Sequence, residues 1–189
     1  MERILFVNAC VRPESRTREL AELAISRLSG EVEMLDLGAE RIAPLTEETL
    51  NARTAALEQG DNTAPMLRYA KQFAAADIVV VAAPYWDLSF PALLKAYIEA
   101  INVVGITFRY NENGVPETLS RAKALYYITT AGGPIFANLG FDYVKTVAEA
   151  FYQIPIIRCV CAEGLDVVGA DVTGIMDTAK AEILRTIPS

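Results

Sequence analysis

Short apolar runs alternate along this chain with longer segments in which apolar residues recur at helical spacing. The runs are rich in Val, Ile and Leu, which is typical of strands buried on both faces of a parallel sheet. The longer segments carry one apolar stripe each, which indicates helices packed on that sheet. Strands are predicted at residues 3–8, 32–37, 79–83, 124–130 and 154–162. Helices are predicted at residues 15–30, 47–57, 66–76, 92–103, 143–152 and 171–187.

The strand at residues 79–83 is the expected centre of the sheet, because it is apolar throughout. Pro84 ends it, since proline has no N–H for a strand ladder. The alternation predicts one doubly wound α/β domain over residues 1–189, with helices on both faces of the sheet. Five parallel strands in a chain of this length favour the flavodoxin-like order 2-1-3-4-5. Residues 105–118 interrupt the alternation, and Asn113-Gly114 predicts a tight hairpin turn there.

Composition narrows the possible partners and the compartment. The net charge of −7 argues against non-specific binding to nucleic acid or to an anionic membrane surface. No apolar run is long enough to span a bilayer, and Arg3 leads into the first strand without a leader-like segment. The three cysteines form no disulfide framework, as expected in a reducing compartment. We therefore expect a cytoplasmic protein with no nucleic-acid partner and no membrane partner.

The chain contains no histidine, which excludes Ser-His-Asp, Cys-His and His-metal mechanisms. A zinc site around Cys159 and Cys161 would need a further cysteine and carboxylates in unusual positions. We therefore expect no metal. Any catalysis must come from carboxylates, tyrosines, lysines or a cofactor.

In such a fold, ligands bind beyond the carboxyl ends of the strands, where three loops should meet. The loop after the first strand places Ser15, Arg16 and Thr17 at the start of a helix. Arg12 and Arg18 add positive charge, which opposes the helix dipole unless an anion is present. This loop predicts a phosphate site, and the alternative is an exposed polar turn capped by Ser15.

The other two loops supply an aromatic wall and backbone donors. Tyr85 and Trp86 follow the central strand, where they either grip a flat ring or simply cover the core. Gly132 and Gly133 either let a ligand approach two backbone N–H groups closely or form an ordinary tight turn. Together with the phosphate site, these features suit a phosphorylated, flat, electron-accepting ring, namely FMN.

The same segments resemble the family of FMN-dependent NAD(P)H:quinone oxidoreductases and azoreductases, formerly labelled acyl-carrier-protein phosphodiesterases. The resemblance covers nearly the whole chain and is most specific in the stretch Thr107-Phe108-Arg109-Tyr110-Asn111-Glu112-Asn113-Gly114. It is also strong at residues 83–88, 94–98, 130–133 and 162–164. It implies bound FMN, NADH or NADPH as the co-substrate, and a homodimer.

The resemblance also implies which residues serve the cofactor and the substrate. The implied cofactor contacts are Ala9, Ser15, Arg16, Thr17, Pro84, Tyr85, Trp86, Asp87, Leu88, Thr130, Ala131, Gly132 and Gly133. Backbone N–H groups of Gly132 and Gly133 would stabilise negative charge at the flavin N1–C2=O edge. Tyr110 and Phe151 match aromatic residues that help to form the substrate cavity at the dimer interface. No protein side chain is implied as a catalytic residue.

Three features depart from the family pattern. Ala9 replaces a serine, so one phosphate hydroxyl is missing, and Cys10 is a poor replacement donor. Asp87 replaces an asparagine, and an ionised carboxylate beside an anionic reduced flavin would disfavour reduction. The segment between Leu37 and Pro65 is shorter than in typical members, which could reshape the mouth of the cavity.

The implied activity is ping-pong transfer of two electrons from NAD(P)H to quinones and azo compounds, with the redox chemistry carried by the flavin. One alternative is a flavodoxin-type electron carrier, which would leave the excursion around Tyr110 without a purpose. Another is a catalytically idle paralogue that only binds flavin. Hydrolysis of an acyl carrier protein has no support, because no hydrolytic constellation can be assembled.

Overall fold

A computed structural model describes residues 1–61 and 63–188 of the chain. Its strands are β1 (Glu2–Asn8), β2 (Gly30–Asp36), β3 (Ile78–Ala82), β4 (Phe108–Tyr110), β5 (Pro116–Thr118), β6 (Ala124–Thr130) and β7 (Ile156–Ala162). Its α-helices are α1 (Arg16–Arg27), α2 (Leu37–Glu40), α3 (Glu47–Glu58), α4 (Arg68–Ala75), α5 (Ala92–Ile101), α6 (Leu139–Ala150) and α7 (Val172–Thr186). A 3₁₀ turn, Pro65–Leu67, leads into α4.

Five of these strands form one parallel sheet in the order β2-β1-β3-β6-β7. Without the two short strands β4 and β5, this is the predicted order 2-1-3-4-5. β3 lies at the centre and every one of its residues is buried, as its continuous apolar sequence predicts. The flavodoxin-like α/β fold predicted from the sequence is therefore confirmed.

Helices cover both faces of the sheet, and alternate residues of each strand enter the two cores. In β1, Leu5 packs in the core beneath α4, α5 and α6, whereas Phe6 packs in the core beneath α1 and α7. This division follows from the two-residue period of a strand, which sends successive side chains to opposite faces. Burial of each such side chain contributes roughly 1.5–3 kcal/mol of transfer free energy to folding.

The predicted hairpin is present, with β4 and β5 paired antiparallel. Its loop is wider than a two-residue turn, because the Asn111 side chain accepts hydrogen bonds from the N–H groups of Asn113 and Val115, both at 3.0 Å. Gly114 adopts a positive φ of 72°, which explains the glycine at this position.

The two predicted boundaries that differ most from the structure are the end of α1 and the start of α6. Gly30 begins β2 instead of ending α1, and a Cβ atom at this position would overlap the carbonyl oxygen of Glu2 on the neighbouring strand. Helix α6 begins at Leu139, earlier than its apolar stripe suggests. The reason is the cap residue Asn138, whose side chain accepts a hydrogen bond from the Phe141 N–H at 3.0 Å.

Candidate functional site

The carboxyl ends of the central strands open into a cavity of about 920 Å³. Such a volume falls within the usual range for ligand pockets. The lining combines the loop before α1, the segment after β3, the segment after β6 and the loop after β7. The lining residues are Cys10, Val11, Arg12, Pro13, Glu14, Ser15, Arg16, Thr17, Arg18, Glu19, Glu22, Pro84, Tyr85, Trp86, Thr130, Ala131, Gly132, Leu165 and Asp166.

The first loop presents a helix N-terminus to this cavity. Ser15 caps α1, and its Oγ accepts a hydrogen bond from the Arg18 N–H at 3.3 Å. Within the described part of the chain, the N–H groups of Arg16 and Thr17 donate to no protein acceptor. Free N–H groups at the positive end of a helix dipole form a ready site for an anion.

The start of this loop is anchored to the sheet. The Asn8 side chain donates to Asp36 at 3.2 Å and accepts from the Cys10 N–H at 3.1 Å. The Cys10 thiol contacts the Ala82 carbonyl at 3.8 Å, and burial raises its pKa. Because the thiol stays protonated and is directed at the protein, it does not replace the hydroxyl that Ala9 lacks. Ala9 itself is fully buried beneath the cavity and does not line it.

The aromatic segment is anchored to the neighbouring strand. The Tyr85 N–H donates to the Thr130 carbonyl at 2.9 Å, and the Tyr85 hydroxyl donates to the Ala137 carbonyl at 3.0 Å. Trp86 remains 42% exposed, so it is not a residue that merely covers the core.

A tight turn follows Trp86 and determines where Asp87 and Leu88 lie. Trp86 and Ser89 exchange two backbone hydrogen bonds of 3.1 and 2.8 Å. The two central residues both have positive φ, 50° at Asp87 and 66° at Leu88, as in a type I′ turn. A left-handed conformation at leucine costs roughly 1–2 kcal/mol. Both side chains are exposed at the tip of this turn and do not line the cavity.

The segment after β6 is joined to the first loop by a hydroxyl pair. Thr130 Oγ1 and Thr17 Oγ1 lie 2.6 Å apart. Beyond Thr130, the N–H groups of Gly132 and Gly133 have no acceptor among the described residues. These unpaired donors are available to a negatively charged or carbonyl oxygen of a ligand.

The loop after β7 is a part of the site that the sequence analysis missed. Backbone hydrogen bonds of 3.0, 3.2 and 2.8 Å attach Gly164, Leu165 and Asp166 to Gly133, Ala131 and Gly132, respectively. Asp166 also forms an ion pair with Arg16 across the cavity mouth at 3.0 Å. The rule that ligands bind at the carboxyl ends of strands applies equally to β7, so Gly164, which follows soon after that strand, was the available signal.

The structure therefore brings together most of the predicted cofactor contacts. Those that line the cavity are Ser15, Arg16, Thr17, Pro84, Tyr85, Trp86, Thr130, Ala131 and Gly132. Gly133 lies directly beside them in the chain. Ala9 lies beneath the cavity, whereas Asp87 and Leu88 lie at the tip of the adjacent turn.

Tyr110 and Phe151 lie elsewhere in the chain. Helices α5 and α6 both begin at the carboxyl edge of the sheet and run to the amino edge, where the β4–β5 hairpin and Phe151 follow. Both rings contact Phe108, with centroids 5.5 Å away for Tyr110 and 4.7 Å away for Phe151. Neither lines the cavity. Within one chain, the two predicted substrate residues are therefore separate from the cofactor contacts.

The donor set fits FMN. The α1 N-terminus and its hydroxyls suit a phosphate, the exposed Trp86 ring suits the apolar face of a flat ring, and the free N–H pair suits a carbonyl edge. No three His, Cys, Asp or Glu side chains come together as a metal site in residues 1–61 and 63–188. In the same residues, no helix is both long and apolar enough to cross a membrane.

Comparisons with known proteins agree with this geometry. The model of a family described as a flavodoxin-like fold matches residues 2–187. FMN-dependent NADH:quinone oxidoreductase 2 of Clostridium acetobutylicum is 39% identical over 188 residues, which cover 93% of each chain. The FMN-dependent NADH:quinone oxidoreductase of Clostridium beijerinckii is 35% identical over 188 residues, covering 95% of this chain and 94% of the relative.

A solved structure extends the similarity to azoreductases. The azoreductase from Bacillus anthracis superimposes with a TM-score of 0.85 at 25% identity, over 98% of each chain. The sequence resemblance is thereby confirmed. The chain belongs to the flavodoxin-like fold family, alongside the FMN-dependent NADH:quinone oxidoreductases.

Proposed function

We propose that this protein is an FMN-dependent oxidoreductase that passes two electrons from NADH to quinones, and also to azo compounds. The observation that carries the proposal is one cavity lined by a helix N-terminus, an exposed tryptophan and Gly132, whose backbone N–H has no acceptor among the described residues. The relatives named NADH:quinone oxidoreductases support the quinone acceptor and favour NADH over NADPH as the donor.

Each part of the site has a defined task in this proposal. Arg16, Thr17 and the first N–H groups of α1 hold the phosphate, and the Thr17–Thr130 hydroxyl pair keeps the two loops in register. Trp86 presents its ring toward the flat part of the cofactor. The N–H groups of Gly132 and Gly133 would stabilise negative charge on the cofactor. Bound FMN would supply the chemistry of two-electron transfer between a nicotinamide and an acceptor.

A ping-pong order of substrates is part of the proposal. NADH and the acceptor would use the same cavity in turn, so the oxidised nicotinamide would leave before a quinone enters. No side chain has to act as a general acid or base at this site, which agrees with a chain that has no histidine.

We further propose that the protein works as a homodimer in the cytoplasm. Tyr110 is 52% exposed at the edge of the sheet opposite the cavity, so it can reach a site only in a second chain. Val104, which precedes the same hairpin in the chain, and Val115, which lies within it, are also exposed, and exposed apolar side chains suit such a contact. The three cysteines are free thiols, in agreement with a reducing compartment.

An absorbance experiment tests the function. Purified protein should be yellow or become so with added FMN, bleach anaerobically with NADH, and regain its colour when a quinone such as menadione is added. Reduction by NADH without a partner reductase distinguishes the enzyme from a flavodoxin-type carrier. A protein that binds FMN but is not bleached by NADH would be either a flavodoxin-type carrier or the idle paralogue, and a protein that refuses FMN would contradict the proposal altogether.

A further inference from the structure

Asp166 joins the loop after β7 to the first loop across the mouth of the cavity. Its Oδ1 atom lies 3.0 Å from Nη1 of Arg16, and both residues line the cavity. The backbone holds it there, because the Asp166 N–H donates to the Gly132 carbonyl at 2.8 Å. The carboxylate lies directly over Gly132, where an added Cβ atom would be 3.1 Å from Cγ of Asp166.

The ion pair neutralises one of the cationic groups on which the phosphate site depends. Arg18 is already paired with Glu22 at 2.8 Å, and this hydrogen bond raises the pKa of the Arg18 guanidinium. Arg16 is the arginine that reaches across the cavity. Its guanidinium forms the ion pair with Asp166 and donates a hydrogen bond to the Leu165 carbonyl at 3.5 Å. An incoming phosphate therefore meets a helix N-terminus beside an arginine that is already neutralised.

We propose that Asp166 is an internal competitor for the cofactor phosphate, pairing with Arg16 in the flavin-free protein and releasing it when a phosphorylated flavin binds. This inference rests on the proposed function. A phosphate monoester carries a charge of about −1.5 to −2 at neutral pH, more than a carboxylate, so the exchange favours the phosphate. Asp166 is a positioning residue, because it acts through Arg16.

The consequence concerns selectivity between flavins. FMN gains the released guanidinium, whereas riboflavin has no phosphate to accept it. The pair is partly exposed, with 44% of the Arg16 side chain and 72% of the Asp166 side chain accessible, so its strength falls in the modest range of surface ion pairs. Asp166 therefore tunes the preference for FMN over riboflavin and does not abolish binding of either.

The experiment titrates flavin-free protein with FMN and with riboflavin, following the quenching of flavin fluorescence. Asp166→Asn should lower the Kd for FMN about three- to fivefold and leave the Kd for riboflavin unchanged. The gain should be larger at about 10 mM salt than at about 150 mM salt, because screening weakens exposed pairs. In an Arg16→Gln background, Asp166→Asn should have no effect, since no guanidinium remains to be released.

A matched control removes the same charge far from the cavity. Glu182→Gln breaks the exposed Glu182–Arg185 pair of 2.5 Å on α7, and it should leave both flavin affinities unchanged. Because Asp166 is largely exposed, the Asn variant is expected to fold, and Asp166→Ser gives a second variant with the same prediction.

Each other outcome overturns the inference. Equal tightening of FMN and riboflavin, or tightening that persists with Arg16→Gln, would mean that Asp166 repels the ligand directly. Weaker FMN binding by Asp166→Asn would mean that Asp166 holds Arg16 in its binding position. If the wild type binds FMN and Asp166→Asn binds it with the same affinity, only this inference is contradicted. If the wild type binds no FMN, the proposed function is contradicted.

Discussion

The two edges of the central sheet differ in whether their polar groups have partners within the protein. At the amino edge, the Asp77 side chain is 5% exposed and accepts hydrogen bonds from the Arg3 N–H at 3.0 Å and from Arg121 at 3.2 Å. Lys123 lies 3.9 Å away. At the carboxyl edge, the N–H groups of Gly132 and Gly133 have no protein acceptor in the described residues.

This difference indicates that polar groups at the amino edge serve folding stability, whereas those at the carboxyl edge serve ligand binding. Buried polar groups in folded proteins are paired, because an unpaired one loses its water without compensation. Asp77 at the amino edge follows this rule, because its partners all belong to the same chain. The carboxyl edge leaves donors open around a cavity, which is expected where a ligand supplies the missing acceptors. Changes at the two edges should therefore have separable effects on folding and on flavin affinity.

The largest effect is expected from Gly132→Val. The valine side chain would project against the Asp166 carboxylate and block close approach of a ligand to the backbone donors. Each hydrogen bond to a charged group contributes about 1.5 kcal/mol, so the loss of two should weaken FMN binding roughly 100-fold or more. Fluorescence titration with FMN measures the loss, and urea unfolding should show that the protein remains folded. Gly133→Ala is the comparison, because a Cβ atom there meets nothing within 4 Å. FMN bound by Gly132→Val at wild-type affinity would break the assignment of this edge.

Asp77→Asn should show the opposite pattern, destabilising the fold by about 2 kcal/mol without changing FMN affinity. The Arg3 N–H, helped by Arg121 and Lys123, lowers the pKa of Asp77 below its usual value. A carboxyl group whose pKa is depressed on folding stabilises the protein above its unfolded pKa, about 3.9, and this contribution disappears as the pH falls through the folded pKa.

Urea unfolding at pH 7 and near pH 3 measures this contribution. The difference between wild type and Asp77→Asn should shrink at the lower pH, whereas the exposed Asp177→Asn should differ little from wild type at either pH. A difference that stays constant with pH would show that the lost packing, and not the charge, accounts for the effect.

Thr17→Val is expected to weaken FMN binding about tenfold, since a hydroxyl contributes about 1–1.5 kcal/mol in such contacts. The substitution also removes the 2.6 Å contact with Thr130, so a smaller loss of folding stability should accompany it. Thr178→Val removes a comparable side-chain hydrogen bond, of 2.8 Å to Gly174, on α7 and serves as the control. Equal FMN affinity in the two variants would remove Thr17 from the phosphate site.

The smallest effect is expected from Tyr110→Ala. Loss of an aromatic contact of about 1 kcal/mol should lower kcat/KM for a quinone about fivefold, while the Kd for FMN stays constant. This result would mean that a residue at the amino edge of one chain acts on chemistry at the carboxyl edge of a second chain. Val115→Ala, in the same hairpin, is the control, and analytical ultracentrifugation reports the oligomeric state. A monomer at assay concentration would contradict the proposed role of Tyr110.

Much of the site could be predicted because local chemistry and topology agree there. Ser15 caps a helix by its own geometry, and a helix N-terminus after a buried strand lies at the carboxyl edge wherever the strand lies in the sheet. Asp166 was missed because its partner, Arg16, is 150 residues away in the sequence, and no periodicity marks such a pair. The sequence also did not indicate that Asp87 lies at the exposed tip of a turn with two positive φ angles, and its contact with the ring stays a prediction.

The amino-acid sequence alone predicts the order of strands and helices, the apolar centre at β3, the absence of histidine chemistry and the three loops expected to hold the cofactor. These properties depend on side-chain period, residue type and short-range capping, all of which are local. The folded structure was needed to show that the loop after β7 lines the cavity, that Asp166 pairs with Arg16, and that Tyr110 lies at the edge of the sheet opposite the cavity. Such contacts join residues far apart in the chain, and their geometry exists only once the sheet has set the positions of all its loops.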